Sequence, residues 1–175
     1  MINSSATMEP THPYPAKPEV MKQHFIHHLN RVYFGKKYLQ KHLPALTQIA
    51  SFKKLRFAIE EVLESVNNQV NRIEEIYKII NAHPDKETCV PIISVFKDAF
   101  ETQDYGEESC LLNDIDIILY LQLLEHINIT SYRMLKILAA SLAYADAEQL
   151  LMESFDESRD DDKLFVMIAD EYLKK

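Results

Sequence analysis

The chain has 175 residues, 47% apolar and 26% charged, which is enough for one domain with a substantial core. Its formal net charge of -8 argues against nucleic acid or an anionic membrane as the main partner, because both need a basic surface. With only two glycines, Gly35 and Gly106, a Rossmann fold, a P-loop or a β-sandwich lacks the turn residues it needs. Long helices with short connections are the expected build.

The first nineteen residues hold Pro10, Pro13, Pro15 and Pro18, a spacing that forbids a helix and predicts a disordered, proline-rich tail over 1–19. The tail has no basic start followed by an apolar run, so it does not read as a secretory signal. No stretch approaches the roughly 20 apolar residues of a membrane span. A cytoplasmic protein is expected, with the helical domain over 20–175.

A first helix is predicted to start near Pro18–Val20, with Phe25, Leu29, Val32, Tyr33, Leu39 and Leu43 on its apolar face and Pro44 kinking or ending it, with Leu46 to Ile49 continuing. A second, from about Phe52 to Asn81, carries Leu55, Ile59, Val62, Val66, Val70, Ile73, Tyr77 and Ile80. These positions lie within roughly 80° of one another around the axis. Pro84 marks a turn. Thr88 as N-cap and Pro91 in the first turn open a short helix over Cys89–Thr102. Cys89 and Cys110 are expected to be buried thiols.

A loop around Gly106 leads to a long helix, about Ser109 to Leu142. Its inward face is predicted to be Ile115, Ile118, Leu119, Gln122, His126, Ile129 and Arg133. The last helix, about Ala143 to Lys174, turns Leu151, Phe155, Phe165 and Ile168 inward. The sum is an all-α protein, an antiparallel four-helix bundle with one additional short helix.

Polar residues interrupt these stripes near mid-helix: Lys36, then Ser65 and Gln69, then Gln122, Glu125, His126 and Asn128, then Ser158 and Asp162. In an antiparallel bundle they converge on one layer, either a metal site or a hydrogen-bonded structural network. Three other features have simple readings. His24, His27 and His28 suit a surface or interface. Tyr33, Tyr120 and Tyr132 suit core packing. The acidic run Asp156–Lys163 lacks the glycine of a calcium loop and reads as a solvated helix face. No nucleophile motif, P-loop or zinc spacing is present.

Several segments in order carry a resemblance: FIHHLNRVY (Phe25–Tyr33), KKYLQKHLP ending at Pro44, LRFAIEEVLESVNNQVNRIEEI, TCVPIISVF, LLEHINITSY (Leu123–Tyr132) and LLMESFDESRDDDKL. Over roughly residues 22–172 the chain resembles the YciE/YciF family of ferritin-like proteins. The resemblance implies a ferritin-like bundle, a homodimer and an association with stress responses. It also implies a two-metal centre of iron or manganese, whose chemistry would be the handling of oxygen, peroxide or iron.

The family pattern places glutamates at the positions of Lys36, Ser65, Glu125, Asn128, Glu157 and Ser158. It places histidine or glutamine at Gln69 and aspartate at Asp162. Here Lys36, Ser65, Asn128 and Ser158 are not carboxylates, which leaves Glu125, His126 and Asp162 as residual metal candidates. The expectation is a largely lost metal site, no bound cofactor and a non-catalytic protein. Lys36 is expected to replace the metal charge, pairing with Glu125, Asp162 or both; the alternative is that it reaches water along its stem.

Overall fold

A computed structural model describes residues 17–86, 90–100 and 110–174, with side chains in the last segment described from Asp114 onward. The N-terminal tail, Thr88, Cys89, Gly106 and the Cys110 side chain therefore lie outside the described residues. The helices are α1 (Pro18–Ile49), α2 (Lys53–Ile79), α3 (Pro91–Phe100), α4 (Cys110–Ser141) and α5 (Ala145–Leu173). Among the described residues no helix is long and apolar enough to cross a membrane.

Local chemistry sets the boundaries. Pro18 sits in the first turn of α1, where its missing N–H costs nothing. Pro44 neither ends nor interrupts α1, which continues to Ile49 with Pro44 on its solvent face; the Thr47 hydroxyl donates to the Pro44 carbonyl at 2.7 Å. α2 ends in a Schellman motif. Asn81 takes a left-handed φ of 50°, and the N–H groups of Ala82 and Asn81 donate to the carbonyls of Tyr77 and Lys78. α4 ends in the same way through Ala143, Tyr144, Ala139 and Ala140, with an alanine carrying the left-handed turn.

Four long helices pack in the ring α1–α2–α5–α4, and α3 lies against α1 and α4. Contacts fix the directions. Lys54 meets Glu171 and Arg72 meets Glu157, so α2 and α5 are antiparallel. Ser51 meets Asp114 and Lys36 meets Tyr132, so α1 and α4 are too. α2 thus ends at the opposite end of the bundle from where α4 begins. The connection between them, which contains α3, is the long crossover of a ferritin-like bundle.

The apolar core is split in two. One cluster includes Leu39, Leu43, Leu55, Ile59, Leu121 and Phe165; the other includes Phe25, Leu29, Ile73, Tyr77, Leu135 and Leu151. The predicted stripe of α2 is the observed one.

The predicted face of α4 is corrected. Ile118 is buried as predicted and Ile115, Gln122 and Ile129 are half-buried, but Ile117, Leu121, Leu124, Glu125, Asn128, Tyr132 and Leu135 make up the rest of the inward face, whereas Leu119, His126 and Arg133 are exposed. Apolar residues surround this helix, so its sequence offers no single preferred direction. In α5, Leu151, Phe165 and Ile168 are buried as expected, while Phe155 is half-buried. Arg133, Lys136 and Arg159 all lie over its ring.

Candidate functional site: a buried polar layer

Between the two apolar clusters lies a polar layer to which all four long helices contribute. α1 supplies Lys36; α2 supplies Ser65, Gln69 and Arg72; α4 supplies Glu125, Asn128 and Tyr132; α5 supplies Glu157, Ser158 and Asp161. The stripes that bury Leu39, Val66, Leu124 and Phe165 carry these neighbours inward at helical spacing.

Lys36 is fully buried, at 0% exposure, so its stem does not carry the ammonium to water. Its Nζ lies 5.8 Å from the centroid of the Tyr132 ring and makes no hydrogen bond among the described residues. Loss of hydration pushes the Lys36 pKa down, opposed by the negative charges of Glu125, Asp161 and Glu157. The Glu125 carboxylate accepts a hydrogen bond from the Asn128 amide at 3.1 Å. Tyr132 donates to the Gln69 side-chain oxygen at 3.2 Å, and burial raises its pKa well above the ordinary value.

Asp161 takes the place that the sequence suggested for Asp162. Its Oδ1 accepts from Ser65 at 3.3 Å, and its Oδ2 has no hydrogen-bond partner among the described residues. Burial first, and the like charge of Glu125 second, push its pKa up to about 7, with Lys36 pulling the other way. A proton on Asp161 near neutrality relieves its repulsion with Glu125. Beside it, Arg72 forms a bidentate pair with Glu157, 2.7 Å for each nitrogen, and a third bond to Glu153 at 3.1 Å. The layer therefore sets two basic side chains, Lys36 and Arg72, against Glu125, Glu157, Glu153 and an Asp161 whose carboxyl is pushed up to about 7.

Of the residues expected inside, Lys36, Gln69, Glu125, Asn128 and Ser158 are buried; Ser65 and Gln122 are half-buried. His126 and Asp162 are not part of the layer. The His126 side chain is 67% exposed and meets Asp162 at 3.4 Å on the outside of the α4–α5 pair. Adjacent helical residues point 100° apart, so the interior aspartate is the neighbour of the one expected. The expected ion pair of Lys36 with Glu125 or Asp162 is not formed among the described residues; Glu125, Asp161 and Glu157 act on Lys36 only through their charge, at longer range.

Arg72 and Asp161 were not singled out by the sequence. Asp161 had a usable signal: it continues the 3–4 spacing of Leu151, Ser154, Ser158, Phe165 and Ile168. Arg72 had none, because its pairing depends on how α5 packs against α2. Elsewhere, the Tyr33 hydroxyl donates to Glu74 at 3.1 Å and Tyr120 packs edge-on to Phe100. His24, His27 and His28 line the exposed face of α1. Residues 156–163 are helical, with Lys163 pairing to Asp160 at 2.7 Å.

These residues do not fit a two-metal centre. Such a centre needs several anionic oxygen donors converging on two cations, and here an ammonium is enclosed among the carboxylates. Among the described residues, no three histidine, cysteine or acidic side chains gather closely enough to hold an ion.

Comparison with known proteins agrees with the fold. Residues 20–175 match the family described as "Domain of unknown function (DUF892)". The protein YciF of Escherichia coli (strain K12) is 31% identical over 136 residues, 77% of this chain and 81% of that protein. The crystal structure of the E. coli stress protein YciF superposes with a TM-score of 0.82 at 29% identity, covering 89% of this chain and 98% of the other. YcfI of Rhodopseudomonas palustris superposes with a TM-score of 0.76 at 22% identity, over 87% of this chain and 97% of that one, a likeness of fold alone.

Proposed function

We propose, for a chain that belongs to the DUF892 family and shares the fold of YciF, that it is a non-catalytic ferritin-like bundle. Its internal lysine supplies the positive charge that a metal pair would otherwise bring. The observation that carries this reading is the full burial of the Lys36 side chain, within reach of the charges of Glu125, Asp161 and Glu157. A cation already inside the layer repels a second one. The surrounding serines and asparagine lack the negative charge to offset two metal ions. Lys36 is sealed from solvent, so it has no route to a substrate.

On this reading the protein acts through its surfaces, as a cytoplasmic homodimer with a structural or binding role. The description of YciF as a stress protein supports a stress-associated role.

The test is metal analysis of the full chain purified from cells supplied with iron and manganese. The expected result is far less than one metal per chain, with no absorbance change when ferrous iron is added in air. About two metals per chain would overturn the reading in favour of a two-metal protein handling oxygen, peroxide or iron.

A further inference from the structure

A trough of about 800 Å³ runs along the outside of the bundle between α1, the start of α3 and the outer face of α4. It is a built feature. α3 seats against α1 at Gly35, where an added Cβ would lie 2.8 Å from Ile92 Cδ1 and 3.2 Å from Val90 Cγ1. A side chain at Gly35 would push Ile92 and Val90 outward, and their close approach forms one wall. The lining is overwhelmingly apolar, with Val32, Ile92, Val95, Leu123, Ile127 and Met134 as its main surfaces. Leu123 and Met134 are exposed large hydrophobic side chains, which is costly for a surface with no ligand or partner.

The polar groups of the trough share one character. They are Arg31, His28, His126, Thr130 and Ser131, and none of the lining residues is acidic. In a chain of net charge -8, the trough presents one cation, Arg31, and several donors, with an acidic side chain, Asp162, set beside His126 at 3.4 Å. Arg31 makes no ion pair or side-chain hydrogen bond among the described residues, so its planar fork of donors is available to a carboxylate. α1 and α4 run antiparallel. Arg31 therefore shares one end of the trough with Ser131 and Met134, and the apolar walls continue from there to Leu123 and Val95. From Met134 to Leu123 the helix rises about 16 Å, the reach of an extended chain of about ten to twelve carbons.

We propose that this trough is a binding site for a single-chain amphipathic carboxylate, such as a medium-chain fatty acid. The head group is held by Arg31 with the Ser131 hydroxyl, and the chain lies between Ile92 and Val95 on one side and Leu123 and Ile127 on the other. The volume, the apolar walls and the few convergent polar groups are those of small-molecule sites. The charge at one end selects an anion. The site is separate from the buried layer, so it stands or falls independently of metal content.

The experiment is isothermal titration of the full chain with sodium dodecanoate below its micelle concentration. Dodecyltrimethylammonium serves as the chain-matched cation. Dodecanoate is expected to bind once per chain, at least about tenfold more tightly than the cation, since a charged hydrogen bond commonly gives that much. Arg31→Gln should remove the preference without lowering the melting temperature. Thr130→Trp, a change at an exposed position that fills the trough, should weaken both ligands. Equal affinity for the two amphiphiles, no effect of Arg31→Gln, or no binding would each overturn the proposal. So would sedimentation showing a dimer that takes no dodecanoate and dissociates in Leu123→Glu, because a second copy would then cover the trough.

Discussion

Asp114 and Lys36 are both fully removed from solvent, yet they are housed in opposite ways. Asp114 reaches from α4 to the α1–α2 connection. One of its oxygens accepts the Ser51 N–H at 2.8 Å; the other accepts the Ser51 hydroxyl and the Phe52 N–H at 2.9 Å. Arg56 closes the same turn by donating to the Ala50 and Ser51 carbonyls. This carboxylate is buried because short hydrogen bonds replace its hydration. The Lys36 ammonium has no such bonds among the described residues, only the longer-range fields of Glu125, Asp161 and Glu157 and the face of Tyr132. The first is a built joint between elements. The second is a charge tolerated because its surroundings are negative, and tolerance of that kind depends on pH.

The largest effect is expected at the joint. Asp114→Ala strips the Ser51 and Phe52 donors of their acceptor and should cost about 3–5 kcal/mol at neutral pH, measured by urea unfolding. A loss below about 1 kcal/mol would mean that water replaces the carboxylate freely, and the contrast with Lys36 would disappear.

Next comes Lys36→Met, which leaves the buried Glu125 without its cation. It should cost about 3 kcal/mol at pH 8. The loss should shrink toward pH 5, where the Asp161 carboxyl is protonated and one of the negative charges facing Lys36 is gone. The double variant Lys36→Met/Glu125→Gln should recover most of that stability, since neither charge is then left alone. A single variant as stable as the wild type at pH 8 would show that Lys36 compensates nothing.

The smallest effect concerns Asp161, and its sign runs the other way. Its pKa is raised in the folded state, to about 7 from 3.8. The fold therefore binds this proton more tightly than the unfolded chain does. The resulting stability is full below pH ~4 and is lost as pH rises toward 7. Asp161→Asn removes that loss while keeping an acceptor for Ser65. It should raise the melting temperature at pH 8 by several degrees, about 1–3 kcal/mol, with the gain vanishing near pH 4. An equal shift at both pH values would sever the link to the buried charge.

The sequence determined the helices and their order. Sparse glycine and 3.6-residue periodicity suffice for that, because helix formation is local and each apolar stripe needs a core. The inward face of α2 was equally legible, since its apolar residues form one narrow stripe with charge elsewhere. That a polar layer interrupts the core, with Lys36 in it, was readable from the breaks in those stripes.

What only the tertiary structure decided is which way the ambiguous helices turn. α4 is apolar nearly all round, with Leu119, Leu123, Met134 and Ile137 left outside. Its rotation, and hence the exposure of His126, came from its packing against α1, α3 and α5. In α5 the choice between Asp161 and Asp162 turned on a single 100° step. The Arg72–Glu157 pair and the Asp114 joint span separate helices, with chain separations of 85 and 63 residues. Helical periodicity fixes a residue's angle about its own axis; only packing fixes that axis against its neighbours, and every contact of the buried charges depends on the second.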